Sequence, residues 1–405
     1  MKIAFVTVDL FKGREFLMPW RTVMEVVRGM RLCGIDADVV TIPVMSCAST
    51  CEESLLGKSQ ETILGLRIKK APRNFAAFCQ YVEKEGYDVV IYPTPWREAL
   101  KKDFKAFADL KCKKIAYFPG GVYSWYNNFS LWQWGGLNVA KPYMIDTLTP
   151  YKRFTKLMHE CGFDAVVGLS PYTAETVKKA GFANTLSILP GKDDFDKLDE
   201  IPNIFARFGL QEGEKYLLFT GAPAATRGAQ VLVKACEKLS RICERTNAPK
   251  VIFLMRKDVG SDFTLFLQAY NKISNKNNVI LITEKVNRNE LKTLMAHARG
   301  VLLPFLVIPS EIPITYFEVL SLGVPIITFN NNGTTEYMKE ALLVSKSGSV
   351  KGLINNMLKL WNDDMLHDDL SRKALAVMAK HPTWEEVTKQ WINLVHNNIN
   401  IKVDK

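Results

Sequence analysis

Two glutamates, Glu311 and Glu318, sit seven residues apart in the stretch Pro309–Thr328, PSEIPITYFEVLSLGVPIIT. Seven residues is two helical turns, so on a helix both carboxylates fall on one face. Ser310, Ile312, Pro313, Ile314 and Thr315 form the mouth of that helix. Amides at a helix start bind anions, and carboxylates accept hydrogen bonds from hydroxyls. The arrangement therefore suits a polyhydroxyl ligand that also carries phosphate. Acidic residues at a helix start equally serve capping and the helix dipole, and the stretch alone fits either role. Gly323-Val324-Pro325 then stops the helix, and Ile326–Thr328 continues as a short buried strand.

Cations fall at comparable positions. Gly221 opens the loop GAPAATRG, which places Arg227 before Gly228, and Arg256-Lys257 follow the apolar run Val251–Met255. Loops 221–228, 256–260 and 310–318 should meet at the C-terminal edge of one sheet. There Arg227, Arg256 and Lys257 join helix amides in a site able to hold a diphosphate without a metal. Asp194-Phe195-Asp196 has the spacing of a metal-binding pair, but it lies in a charged, proline-containing linker and reads as a capping or solvated turn. The eight cysteines are scattered with no histidine near their close pairs, so no zinc site is expected and free thiols in a reducing compartment are.

The elements that carry these residues alternate regularly. Lys2–Val8 reads as a buried parallel strand, followed by a loop holding Gly13 and Arg14, a helix and a second strand. That loop lacks a dinucleotide fingerprint. Further strand–helix pairs run to about residue 189, and a second series starts at Tyr216. The fold class is α/β with two Rossmann-like domains, 1–195 and 196–383, and a terminal helix 384–405 that returns to the first. Tyr117–Tyr143 holds nine aromatics and four glycines without a clean period. It reads as a long loop after a strand end, in which Gly120, Gly121, Tyr123 and Trp125 could form a platform for an acceptor. Lys101–Lys114 has six lysines with Phe104, Phe107 and Leu110 at helical spacing, which fits a core-facing amphipathic helix or a membrane-docking one.

With 405 residues, two domains are expected. A net charge of +11, from 53 basic and 42 acidic residues, is spread through both halves. Such spreading argues against nucleic acid and for anionic small molecules or a lipid surface. No apolar run is long enough to span a membrane, and the first residues read as a strand rather than a leader, so a cytoplasmic protein, soluble or peripheral at the membrane, is expected.

SEIPITYFEVLSLGVPIIT resembles the donor-site signature of the retaining family 4 glycosyltransferases, which have the GT-B fold. FTGAPAATRG is similar to that family's glycine loop, and LPGKDDF to its interdomain turn. The resemblance implies two domains facing across a cleft, with a nucleotide sugar on the second and the acceptor mainly on the first, including Gly13, Arg14 and the Gly120–Trp125 segment. It implies that Glu318 holds the ribose hydroxyls, Glu311 the transferred sugar and Arg227 the diphosphate. It implies transfer from a UDP- or GDP-type sugar to a glycan, lipid-linked or protein acceptor, with no cofactor and no metal. Three positions depart from the pattern: six rather than seven residues separate the glutamates, Ala222 stands where an arginine is usual, and the first domain has Pro119-Gly120-Gly121 where a histidine is frequent. The alternative is a nucleotide-sugar-binding scaffold of the same fold that assists another transferase without catalysis.

Overall fold

The computed structural model describes residues 1–43, 60–193, 195, 204–242, 248–255, 261–310 and 312–397. Short runs of Val, Ile, Leu and Phe, apolar on both faces, become buried parallel strands because helices can cover both sides of them. The first sheet contains β1 (Lys2–Val8), β2 (Asp36–Ile42), β3 (Gln60–Ile63), β4 (Leu66–Lys70), β5 (Val89–Pro93), β6 (Lys113–Tyr117), β7 (Ala165–Gly168) and β8 (Thr185–Ser187). Its order is β3-β4-β2-β1-β5-β6-β7-β8, parallel except for the β3–β4 hairpin. The second contains β9 (Leu217–Gly221), β10 (Val251–Met255), β11 (Val279–Ile282), β12 (Gly300–Leu303), β13 (Ile326–Phe329) and β14 (Leu342–Ser345). All its pairs are parallel, in the order β11-β10-β9-β12-β13-β14. Strand order reverses beside β1 in one sheet and beside β9 in the other, and open sheets bind ligands at the C-terminal side of such points.

Two segments differ from the sequence expectation. Lys101–Lys114 contains no α-helix; Lys102–Ala108 is a 3-10 helix, and Phe104, Phe107 and Leu110 are buried in the first core. Its apolar side therefore faces the protein. Tyr117–Tyr143 is no loop either. Ser124 accepts from the Asn127 amide and caps the helix Trp125–Gly135, which is followed directly by the helix Leu137–Leu148. The helical period was hidden because the pattern is inverted, with aromatic residues on the exposed face and asparagine and serine on the buried one. Asn127, Ser130 and Leu131 are buried, while Trp125, Phe129 and Trp132 are exposed.

This hairpin leaves the first half between β6 and β7 but packs into the second. Leu131 and Ala140 belong to the core built on β9, β10 and β13. Asn127 Nδ2 donates to the carbonyls of Leu306 (2.9 Å) and Asn330 (2.7 Å), and Ser130 Oγ donates to Ser347 O (3.0 Å). In return Asn332 Nδ2 donates to Val122 O at 2.8 Å. At the other end of the chain, the helix Trp384–Asn397 packs on the helix Trp20–Leu32, with Trp391 buried against Phe5 at a ring distance of 5.0 Å. Chain crossings at both ends thus tie the halves together. Asn127→Ala deprives two carbonyls of a donor and should cost about 2 kcal/mol in urea unfolding; an unchanged midpoint would show that these bonds do not hold the halves.

Candidate functional site

The helix Ile314–Ser321 is placed by buried polar contacts. Tyr316 OH lies 2.7 Å from Thr328 Oγ1 on β13, and that hydroxyl donates to Leu303 O on β12 at 2.7 Å. The helix start is thereby fixed beside the ends of the central strands. A cavity of about 550 Å³ opens there, walled by Gly221, Arg227, Val286, Leu291, Thr315 and Glu318, with Leu17 entering from the first half.

Gly221 ends β9 at φ +129, and a Cβ there would come within 2.5 Å of Arg227 Nη1. The positive φ favours glycine there, and the guanidinium folds over the strand end. The Arg227 guanidinium also lies 5.3 Å from the Phe305 ring centroid, and Thr226 O accepts from the Leu306 amide at 2.9 Å. These contacts hold a delocalised cation against the sheet edge.

Glu318 projects into the same cavity and makes no hydrogen bond with another described residue. Burial pushes its carboxyl above the usual range; Arg288 and Arg21 pull it back, and Asp193 opposes them. A carboxylate kept in such surroundings without a partner is costly unless hydroxyl donors reach it. Nearby, Asp193 accepts from Arg21 Nη2 (2.7 and 2.9 Å), Arg288 Nη2 (2.6 Å) and Trp384 Nε1 (2.9 Å). One carboxylate therefore joins the first helix, the interdomain turn, the second domain and the last helix. The sequence placed this turn between the halves but gave no sign of the partners, which come from segments more than 90 residues away.

A second cavity, about 820 Å³, lies at the ends of β1, β5 and β6 and reaches Pro309 of the second half. Arg97 pairs with Asp146 at 2.7 Å and Lys101 with Glu98 at 2.8 Å; Phe75, Tyr92, Tyr123 and Tyr143 add aromatic wall. Burial raises the pKa of both Glu98 and Asp146, against the pull of their cation partners. These residues were not singled out from sequence, although the charged pair Arg97-Glu98 just after a strand end was a usable signal.

The expected site residues divide as follows. Arg227, Gly221, Thr315 and Glu318 share the first cavity, whereas Gly120 and Tyr123 line the second. Gly120 approaches the second half closely: a Cβ there would lie 2.9 Å from Pro309 O, to which Tyr123 OH donates at 3.4 Å. Gly121 lines a small crevice beside Asn127. Ile312 is wholly buried in a core, Pro313 precedes the helix as its cap, and Ser310 and Ile314 flank it half-buried. Arg14 bonds Asp9 O at 3.0 Å and lies over the rings of Phe11 and Trp20, and Gly13 is an exposed turn, so neither lines a cavity. Trp125 is 54% exposed and lines neither of them. Glu311, Arg256, Lys257, Asp194 and Asp196 lie outside the described residues.

With this geometry, residues 200–377 match the family model described as glycosyl transferases group 1. The match covers most of the second half and less than half of the chain. No curated protein matches in sequence. Among solved structures, the chain is similar to a sucrose-phosphate synthase from Thermosynechococcus elongatus, at 14% identity and TM-score 0.70, over 98% of each chain. It is also similar to Anabaena Alr3699/HepE in complex with UDP-glucose, at 13% identity and TM-score 0.65, over 98% of this chain and 100% of that one. An E. coli trehalose-6-phosphate protein bound with UDP-2-fluoro glucose matches at 7% identity and TM-score 0.67, over 99% and 100%. The fold is GT-B, as the sequence resemblance implied.

Within the matched region the Glu318 carboxyl has its pKa raised on folding. Its stability penalty is therefore absent below the unfolded pKa and fully present above the folded one. Glu318→Gln should raise the thermal midpoint of the ligand-free protein at about pH 8 and leave it nearly unchanged at about pH 4. A lower midpoint at the higher pH would mean that the charge is satisfied by the protein itself.

Proposed function

We propose that the protein is a retaining, metal-independent glycosyltransferase that moves a sugar from a nucleoside-diphosphate donor to a glycan, lipid-linked or protein acceptor. Glu318 is the observation that carries this reading: an ionisable group without a hydrogen-bond partner among the described residues, in a cavity that Arg227 also lines. Ribose hydroxyls would donate to the Glu318 carboxylate, and the diphosphate would lie between Arg227 and the amides that begin the helix Ile314–Ser321. Alr3699/HepE carries UDP-glucose on the same fold, which supports a UDP-type donor here.

The chemistry follows from where charge develops. As the sugar–phosphate bond lengthens, positive character gathers on the sugar and negative charge on the leaving diphosphate. A fixed guanidinium and fixed amides aimed at that charge stabilise the transition state more than the ground state. The acceptor would approach from the larger cavity at Gly120, whose wall meets the second half at Pro309. Same-face attack lets a leaving phosphate oxygen take the acceptor proton, so retention requires no separate carboxylate nucleophile of the kind glycosidases use. Glu311, next to Ser310, would hold the transferred sugar, and Arg256 and Lys257 would add to the diphosphate site. Domains 1–195 and 196–383 would act as acceptor and donor sides, in a cytoplasmic setting.

UDP release from UDP-glucose without acceptor tests the reading, combined with calorimetric binding of UDP-glucose. Glu318→Ala should abolish release and weaken binding, and Arg227→Ala should slow release roughly a hundredfold or more. Near-wild-type release by Glu318→Ala would overturn the assignment of the donor site. Tight binding by the wild type with no release and no transfer would instead identify a non-catalytic nucleotide-sugar-binding partner.

A further inference from the structure

The exposed side of the interdomain hairpin is an unusual surface. Trp125, Phe129 and Trp132 follow one another at helical spacing and are 54%, 54% and 47% exposed, with Tyr126 beside them at 44%. Phe129 and Trp132 meet edge to face at 5.7 Å. The adjoining helix adds exposed Leu137 and Leu148. Singly exposed apolar residues are ordinary, whereas a contiguous aromatic face on a helix whose opposite side is already buried marks a contact surface.

The charges the structure places beside it are basic. Lys346 Nζ sits 4.1 Å from the Tyr126 ring centroid, Lys351 is exposed in the first turn of the helix Val350–Asn362, and Lys141 is exposed on the second helix. Gly348, between Lys346 and Lys351, packs against Ser130 and Trp134, which locates that loop beside the aromatic helix. From Pro119 to Pro150 the sole acidic residue is Asp146, buried and paired with Arg97; residues 341–352 contain none.

We propose that this face docks on an anionic lipid surface. Tryptophan, tyrosine and phenylalanine partition into the headgroup boundary of a bilayer, and lysines at the rim are attracted to anionic headgroups. A second copy of the chain is disfavoured, since a two-fold interface would bring Lys141, Lys346 and Lys351 towards their own counterparts. The surface lies in the hairpin and not in Lys101–Lys114, whose apolar residues are spent in the core. Tyr123, Pro142 and Tyr143 of the hairpin segment also wall the 820 Å³ cavity, so docking would bring the acceptor side to the membrane. That last point rests on the glycosyl-transfer reading and favours a lipid-linked acceptor; the docking itself does not depend on it.

Co-sedimentation with phosphatidylcholine vesicles, with and without phosphatidylglycerol, tests the proposal on the full chain. Binding should require the anionic lipid, weaken with salt and shift tryptophan emission to the blue. The triple variant Trp125→Ala, Phe129→Ala, Trp132→Ala should bind roughly tenfold or more weakly at an unchanged thermal midpoint, because these side chains are half-exposed. Lys346→Glu with Lys351→Glu should lose the phosphatidylglycerol dependence. Absence of wild-type binding, equal binding by the triple variant, or a wild-type dimer that the triple variant abolishes would each overturn the proposal. UDP-glucose calorimetry on the same samples separates the two readings: it should be unaffected by the triple variant, and its failure in the wild type would strike the donor site alone.

Discussion

The single side chain on which the geometry most depends is Asn127. Its amide donates to two carbonyls, Leu306 and Asn330, at the C-terminal side of the second sheet, while its own backbone belongs to the first half of the chain. Buried carbonyls need donors, and these two receive one from across the domain boundary. Once that bond is made, Leu131 fills the second core, Tyr123 reaches Pro309 and Gly120 comes against the mouth of the Ile314–Ser321 helix. The larger cavity then reaches Pro309, just before the helix whose Thr315 and Glu318 line the smaller one. Asp193 performs the complementary task at the other side, gathering Arg21, Arg288 and Trp384 around one carboxylate. Removing either partner of so enclosed a pair leaves an uncompensated charge, which costs far more than the pair contributes.

Glu318 shows the opposite economy. Asp193, Glu98 and Asp146, near the cavities, have cations in contact, whereas among the described residues Glu318 has no ion pair and feels the charges of Arg288 and Arg21. The fold tolerates this because the helix carrying it is held independently, through Tyr316 and Thr328. Instability is thus localised at a position where a ligand can relieve it, a usual mark of a functional site.

Local patterning made the strands legible. Lys2–Val8, Val251–Met255 and Gly300–Leu303 are apolar on both faces, and glycine or proline bounds several of them, so their parallel, buried character could be read directly. The Asn287–Glu290 capping box and the Trp384 helix were equally plain. The hairpin was not, because its first helix buries Asn127, Asn128 and Ser130 and exposes Trp125, Phe129 and Trp132, the reverse of the usual amphipathic pattern. β3, β4 and β14 were missed for a different reason: Leu66–Lys70 alternates too briefly, and Leu342–Ser345 lies between turns. Within the site, Arg227, Gly221 and Glu318 follow from their loop chemistry. Arg97, Asp146 and Asp193 needed the tertiary fold, since each acts through a residue remote in sequence.

On the proposed function, a nucleotide sugar would occupy the cavity between Gly221 and Glu318. Hydrogen–deuterium exchange with and without UDP-glucose tests its location most directly. Protection should appear in residues 220–228 and 314–318 and along the Val286–Leu291 wall, with little change near the exposed aromatic face. Protection confined to other segments, or none at saturating UDP-glucose, would contradict it.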